Sequence, residues 1–369
     1  MKRFIFIFTL IIGFTGSLLA DTIVVDLAGG GDYTTIHAAV DAAADGDTIL
    51  VMSGTFIISA ADGVIAINAE LHLLGSGYDL PDDGGTFIQA ASSVFDFQAA
   101  ADGSTLRGFR IIGYGAALVT IAADDMLIEE NYITNSYQTG YLMSFTAGTS
   151  SDTIRNNILG GVSASNRSGL SLTQTVDVTV CNNIFFGFNW VGGVFTQSTT
   201  NTMITNNVFV SNAVGVYYND SGSSIVNNIF MNGSGAGSQI SAQGGSPSIS
   251  YNCFFNNQYN GTVGIEPILE NPDFVDFGST DAYSQTSFDD DGYNFHLQSV
   301  SPCINGGNPL FDYFDLDGSR NDLGVYGWKF PIGTTGAPTI PVVNSISVSP
   351  STVSPSGTIT INATGRIGE

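Results

Sequence analysis

Basic residues are scarce in this chain: nine lysines and arginines stand against 33 aspartates and glutamates among 369 residues, a formal net charge of −24. That balance excludes nucleic acid as a partner, because phosphate binding relies on lysine and arginine to release counterions. It also disfavours an acidic polyanion unless bound calcium inverts the local sign. Acidity of this size serves solubility. Cysteines number three, Cys181, Cys253 and Cys303, so they cannot all pair. Cys181 and Cys253 fall three repeats apart, roughly 14 Å along a stack of strands, whereas a disulfide needs Cα atoms within about 7 Å. All three are expected to be small buried apolar residues. No sequence feature sets a histidine beside a thiol, which a thiol nucleophile would want. Beyond one short segment, sustained 3.6-residue periodicity is missing, and helical repeats are excluded with it. After residue 20 no apolar run is long enough to span a bilayer, so the mature chain is not expected to insert into a membrane.

The first twenty residues, MKRFIFIFTLIIGFTGSLLA, carry two basic residues, an apolar run and small residues before Asp21. They read as a signal peptide, and no cysteine follows the cleavage site to support a lipid anchor. Loss of Lys2 and Arg3 moves the expected mature charge to −26. An exported protein, secreted or displayed at the cell surface, follows.

Six asparagines, Asn131, Asn157, Asn183, Asn207, Asn228 and Asn252, recur every 21 to 26 residues in one short pattern: LIEENYI, TIRNNIL, TVCNNIF, MITNNVF, SIVNNIF, SISYNCF. Three residues before each stands Ile128, Ile154, Val180, Ile204, Ile225 or Ile249, and two after it Ile133, Leu159, Phe185, Phe209, Phe230 or Phe254. So short a repeat cannot bury its own apolar face and is stable only when stacked on its neighbours. β-Branched runs broken by Gly, Asn and Ser make each unit strand-forming. Asparagine suits the corner, since it tolerates left-handed backbone angles and its amide can bond to the next coil. The predicted fold is all-β, a single-stranded parallel β-helix.

With those motifs the chain resembles the secreted right-handed parallel β-helix proteins of the pectin-lyase-like superfamily, over roughly residues 22 to 328. GGGDYTTIHAAVDAAADGDTILVMSGTF is similar to their opening segment; NPDFVD, YNFHLQSVSPCINGGNP and DLDGSRNDLGVYG are similar to their closing one. The superfamily includes lyases, hydrolases, esterases and adhesins, so the resemblance implies architecture and leaves chemistry open.

The expected organisation is a signal peptide at 1–20, an N-terminal cap at 21–46, coils at 47–262 and an irregular Asp-rich closing segment at 263–330. A linker follows at 331–345, then the start of an immunoglobulin-like domain at 346–369. In the cap, Asp32 or Thr34 is expected to begin a helix with Ile36, Ala39, Val40 and Ala43 on one face, plugging the open end of the solenoid. His37 on that helix reads as solvated or capping. The last 24 residues alternate like two strands joined by a Ser-Pro-Ser-Gly turn. An immunoglobulin-like domain needs about 100 residues, so the expectation is that more follows in a longer protein.

The resemblance also implies a groove along the strand about a dozen residues before each asparagine unit: 141–149, 169–175, 193–199 and 215–221. Alternation sends Leu170, Leu172, Val194, Val216 and Tyr218 inward, and Ser171, Thr173, Phe195, Gln197, Tyr217 and Asn219 outward. That outward set holds no carboxylate, histidine, lysine or arginine. Glycoside hydrolysis needs two carboxyl groups across the bond. A calcium-dependent lyase needs carboxylates for the metal and a base for the proton. Only Asp220 and Arg167 fall nearby, neither with an evident partner. Phe195 and Tyr217 beside Gln197 and Asn219 suit sugar rings, which present both CH faces and hydroxyls; an ordinary solvent-facing β surface would look the same.

Three further sets invite a reading. Arg107, Glu129, Arg155 and Cys181 form a column two residues before the asparagine positions, expected as cross-strand pairing on an exposed face. Asp124–Asp125 is similar to a hydrolase diaspartate, but the Gly-His-Gly and Arg-Ile-Lys elements that accompany it are missing. Asp315, Asp317 and Asp322 surround a glycine turn, which reads either as a structural turn or as a calcium site stapling the closing segment. It is not an EF-hand, since Tyr313 occupies the first ligand position. His296, in YNFHLQ, belongs to the closing motif by resemblance. The expectation is therefore a β-helix module that binds polysaccharide or cell-wall glycan without catalysis of its own. No cofactor is required, calcium is the one candidate metal, and the oligomeric state is open. The alternatives are a polysaccharide lyase or hydrolase, and a passive spacer or adhesin.

Overall fold

The structure, a computed structural model, describes residues 20–78, 84–135, 139–161, 166–188, 192–233, 237–276, 294–331, 342–349 and 360–366. The signal peptide expected at 1–20 lies outside them except for residue 20. Short strands coil into an all-β parallel solenoid of about nine turns. Each full turn contributes one strand to each of three parallel sheets, of ten, nine and eight strands among the described residues. In the turn carrying Asn183, Thr179–Cys181 lies in the first sheet, Ile184–Phe186 in the second and Gly192–Gln197 in the third.

The repeat positions stack in register inside the solenoid. Leu106, Ile128, Ile154, Val180, Ile204, Ile225 and Ile249 pair coil to coil and are buried. Phe185, Phe209, Phe230 and Phe254 form a column of near-parallel rings with centroids 4.8, 4.7 and 5.2 Å apart. Each buried ring contributes about 1.5–3 kcal/mol relative to an exposed one.

Between the first and second sheets the six asparagines form a relay. The backbone N–H and Nδ2 of Asn131 both donate to Oδ1 of Asn157 at 3.0 Å. The same pair of bonds joins Asn157 to Asn183, Asn183 to Asn207, Asn207 to Asn228, and Asn228 to Asn252. Each Nδ2 also donates to a carbonyl of the previous coil, as Asn183 does to Ile154 at 2.8 Å. The left-handed backbone belongs to the residue before each ladder asparagine: Glu130, Asn156, Asn182, Asn206, Asn227 and Tyr251 have φ of 54° to 59°. The expectation that the ladder asparagine itself takes that conformation is corrected here. Its side chain supplies the bonds while its neighbour makes the bend, and strain on Glu130 and Tyr251 is outweighed by keeping the next amide in line.

At the N-terminal end the helix Ile36–Ala42 packs against the first strands with Ile36, Ala39 and Val40 buried. Thr35, rather than Asp32 or Thr34, is the N-cap, its Oγ1 accepting the Ala38 N–H. Asp32 instead accepts the Val24 N–H.

In the second sheet the middle strands are buried on both faces: Ile184–Phe186, Val208–Val210 and Ile229–Met231 show no exposed alternate residue. Residues 294–331, with Ile268 and Phe274, run back along the outside of the solenoid and cover this face. Tyr132, Ile158, Ile184, Phe186, Val208, Val210, Ile229, Met231 and Cys253 meet Phe274, Phe295, Cys303, Leu323 and Val325 in a second apolar cluster. The asparagines beside the ladder hold this wrap by hydrogen bonds. Asn182 Nδ2 donates to the Val325 and Gly327 carbonyls, Asn206 Nδ2 to those of Asp322 and Gly324, and Asn227 Oδ1 accepts the Asn308 N–H. Gly324 sits at φ +83°, where an added Cβ would lie 2.9 Å from Ile229, so a larger residue there would lift the wrap. Strands Val342–Ser349 and Thr360–Arg366 pair antiparallel; the first begins within the expected linker at 331–345, and the expected Ser-Pro-Ser-Gly turn lies outside the described residues.

Replacing Asn183 by leucine removes the acceptor for two Asn157 donors and the donor to the Ile154 carbonyl. Orphaned buried groups cost about 1–3 kcal/mol each. Asn183→Leu is therefore expected to destabilise the protein by about 3 kcal/mol or more in denaturant unfolding, against no measurable change for Gln197→Ala.

Candidate functional site

The outer face of the third sheet is left uncovered by the wrap, and the sequence-predicted pair lies there. Phe195 and Tyr217 face each other across adjacent coils, ring centroids 5.5 Å apart and tilted by 44°. One residue pair further along, Gln197 is exposed and Asn219 half-buried, again in register. Gly244 opposes Asn219 on the following coil, where a Cβ would come within 2.6 Å of Asn219 Oδ1; glycine there leaves the amide its place. Leu170, Leu172, Val194, Val216 and Tyr218 are buried inside, as alternation requires.

A third ring joins the row. Tyr141 stacks on Phe195 with centroids 6.3 Å apart and planes within 24°. It reaches over Ser171, which is buried beneath it and hydrogen-bonds to it. Burial pushes the Tyr141 phenol above its usual range. Strict alternation counted back from Met143 places Tyr141 inward. The strand departs from that alternation, because Leu142 is buried as well as Met143. Counting by twos therefore missed it.

The face also carries a carboxylate that the four groove segments did not include. Asp96 lies in the same outward column, connected through Thr120, Ser144 and Ser171 to Phe195. Its oxygens accept from Thr120 Oγ1 at 3.0 Å and Gln98 Nε2 at 3.4 Å. Asp220, by contrast, is turned into the structure: it is buried, accepts the Thr196 hydroxyl, and takes the Ser223 N–H at 3.0 Å. The expectation that Asp220 lacks a partner is corrected, since it closes the turn after the strand. The Arg167 side chain lies outside the described residues.

The remaining sets serve the fold. Glu129 takes Arg155 at 2.6 Å and Arg107 at 3.7 Å, and Glu130 takes Arg107 at 2.7 Å. The pairing is as expected, but Glu129 is 6% exposed and the Arg155 guanidinium lies 4.2 Å from the Phe330 ring centroid, so these two are covered while Arg107 stays exposed. Removing one partner from such a buried set costs far more than at a surface. Asp124 accepts the Ser150 N–H at 2.7 Å and Asp125 sits at φ +56°, so this pair shapes a corner between coils. His296 stacks on Tyr326 at 3.7 Å.

The expected calcium candidates take a different arrangement. Asp315 accepts the Trp328 and Asp322 N–H groups, Asp317 the Ser319 N–H and Asp322 the Asn305 N–H. Each carboxylate thus has a backbone donor, although the three line one small cavity together. No group of three or more His, Cys, Asp or Glu side chains among the described residues is arranged to hold a metal ion. Burial lifts the Asp315 carboxyl to about 7, and burial likewise raises Asp322.

Residues 97–271, just under half of the chain, match the family described as "Periplasmic copper-binding protein (NosD)". That stretch coincides with the coils of the third-sheet face and the asparagine relay. The described residues themselves show an all-β parallel solenoid. Among solved structures the β-helix is similar to an arginine-to-alanine mutant of the PL6-family alginate lyase AlyGC, at 12% identity and a TM-score of 0.26. The match covers 69% of this chain and 54% of the lyase, so the β-helix spans about half that enzyme's length. No curated protein matches the sequence. Copper, named for the matched family, calls for soft or imidazole donors. The three cysteines of this β-helix are buried, and Cys181 is pushed up to about 12 by burial, so no exposed thiolate is offered to a metal. No helix among the described residues is long and apolar enough to cross a membrane.

Two outcomes follow from these surroundings. Adding calcium or a chelator is expected to leave the thermal midpoint unchanged, because the Asp315, Asp317 and Asp322 carboxylates already have backbone partners. A calcium-dependent rise in differential scanning fluorimetry would contradict that. Asp152 is 1% exposed and accepts the Met126 N–H, and burial, helped by Asp124 and Asp125, lifts its carboxyl from 3.8 to about 7. The folded state then holds its proton more tightly than the unfolded chain. Stability from this group is whole below about pH 4, falls as pH rises, and is lost by about up to 4 kcal/mol above pH 7. Asp152→Asn is expected to match wild type near pH 4 and to unfold at higher temperature than wild type at pH 8.

Proposed function

We propose that this β-helix is an exported module that binds a polysaccharide along the outer face of its third sheet, without reaction chemistry of its own. The observation that carries the reading is the row Tyr141–Phe195–Tyr217, three rings on one uncovered face. Aromatic faces bury the CH faces of sugars, and adjacent amides exchange hydrogen bonds with their hydroxyls. Gln197 and Asn219 stand beside two of the rings at the same strand spacing. Along the row the ring centroids lie 6.3 Å and then 5.5 Å apart, so an oligosaccharide segment fits it better than a single sugar. A rigid, repeated backbone presets the spacing, and little ordering is left to oppose binding.

Charge favours neutral glycans. With nine basic residues against 33 acidic ones, the chain repels a polyanion at long range. Export is supported by the N-terminal sequence and by the periplasmic description of the matched family. Asp96 motivates a second reading, a glycan-cleaving enzyme, but it lies among hydroxyl and amide partners without a second carboxylate in register.

Affinity electrophoresis of the full chain in gels of neutral and acidic polysaccharides tests the proposal. Retardation is expected in a neutral gel, and Phe195→Ala with Tyr217→Ala should weaken it at least tenfold. Wild-type mobility equal to that of the double variant in every gel would remove the assignment. Release of new reducing ends, abolished by Asp96→Asn, would shift it to the enzyme.

A further inference from the structure

Two cysteines far apart in sequence meet where the wrap lies on the solenoid. Cys253 opens the last strand of the second sheet, Cys253–Phe255, and alternation sends its side chain outward while Phe254 points into the core. Cys303 belongs to the turn that follows Ser301 and Pro302 in the wrap. Both are fully buried in the same apolar cluster, and their thiols share a hydrogen bond.

The two backbones are held independently. Cys253 donates its N–H to the Asn228 carbonyl of the previous coil and bridges to Ile268 on the other side. Ser301, beside Cys303, donates its hydroxyl to the Pro272 carbonyl and accepts the Cys303 N–H. The Cys303 carbonyl accepts the Leu323 N–H. Neither thiol is therefore brought to the other by a flexible side chain alone; the fold delivers both. Cys181 takes no part, lying buried in the first sheet beside Arg155.

We propose that Cys253 and Cys303 form a disulfide, a covalent clasp that fastens the wrap to the last coils when the chain folds in an oxidising compartment. The oxidant is a disulfide-bearing thiol oxidase or a small-molecule disulfide. Thiolate attack on it gives a mixed disulfide, and the second cysteine displaces the reduced carrier. Two protein thiols and one carrier disulfide thus become one protein disulfide and two carrier thiols. The exchange belongs to folding, because the finished interface buries both sulfurs. Afterwards the wrapped loop between residues 253 and 303 is closed, which removes freedom from the unfolded chain. The Cys253 thiol, raised well above its usual range by the hydrogen bond to Cys303 and by burial, resists reaction if the clasp is left open. The wrap then rests on noncovalent contacts alone.

The test refolds the full chain from denaturant with a mixture of oxidised and reduced glutathione, then denatures it with an alkylating agent and no reductant. Mass spectrometry is expected to find one alkylated cysteine, Cys181, and a peptide pair joining Cys253 to Cys303 that separates on reduction. Cys253→Ser and Cys303→Ser should each yield two alkylated cysteines and no linked pair. Three alkylated cysteines in the wild type, or a linkage that includes Cys181, would overturn the proposal. Limited proteolysis separates a clasp from an incidental bond. Cleavage within the wrap should quicken severalfold when the linked protein is reduced, and an unchanged rate would overturn the clasp.

Discussion

Every turn of this solenoid bends the chain sharply twice or more, and each bend leaves backbone groups pointing into a dry interior. The asparagine relay meets that constraint between the first and second sheets. One side chain accepts two donors from the coil before it and donates its Nδ2 to a carbonyl of that same previous coil. The relay ties the axial spacing of the coils to hydrogen-bond length, so the aliphatic and phenylalanine columns stack at the same interval. Hydrogen bonding sets the pitch, and burial then supplies most of the driving force.

The same pitch has opposite consequences on the outer faces. On the second sheet, outward residues are apolar, and the wrap buries them with asparagine side chains as its anchors. On the third sheet, outward residues are hydroxyls, amides, rings and the Asp96 carboxylate, and no described segment covers them. A regular backbone thus becomes a ruler on which Tyr141, Phe195 and Tyr217 are set at intervals fixed by the coils. On the first sheet Glu129 is buried between its arginines, and the Phe330 ring closes over Arg155 while Arg107 stays exposed.

Much of the candidate site was legible because strand alternation is a local rule. Phe195, Tyr217, Gln197 and Asn219 lie on the outer face, and Leu170, Val194 and Val216 lie inside, as counting by twos requires. Tyr141 was not legible, since two successive buried residues in its strand break the count. Asp220 looked available in sequence and is consumed by Thr196 and Ser223 in the turn that follows. A second amide position, where Asn212 Nδ2 bonds the Phe185 carbonyl and Oδ1 accepts the Phe188 N–H, was hidden by the irregular spacing of that corner.

By itself the sequence determined the repeat, the strand registers, the ladder residues and the inward columns. Each of these follows from interactions between equivalent positions one coil apart, so a period in the sequence is a contact in space. Only the tertiary structure decided which outer face is covered, that Glu129 is buried, and that Cys253 meets Cys303. Those contacts join regular coils to a segment without a period. Where it lands is set by shape, apolar area and the Asn182, Asn206 and Asn227 hydrogen bonds together, and no local pattern records that sum.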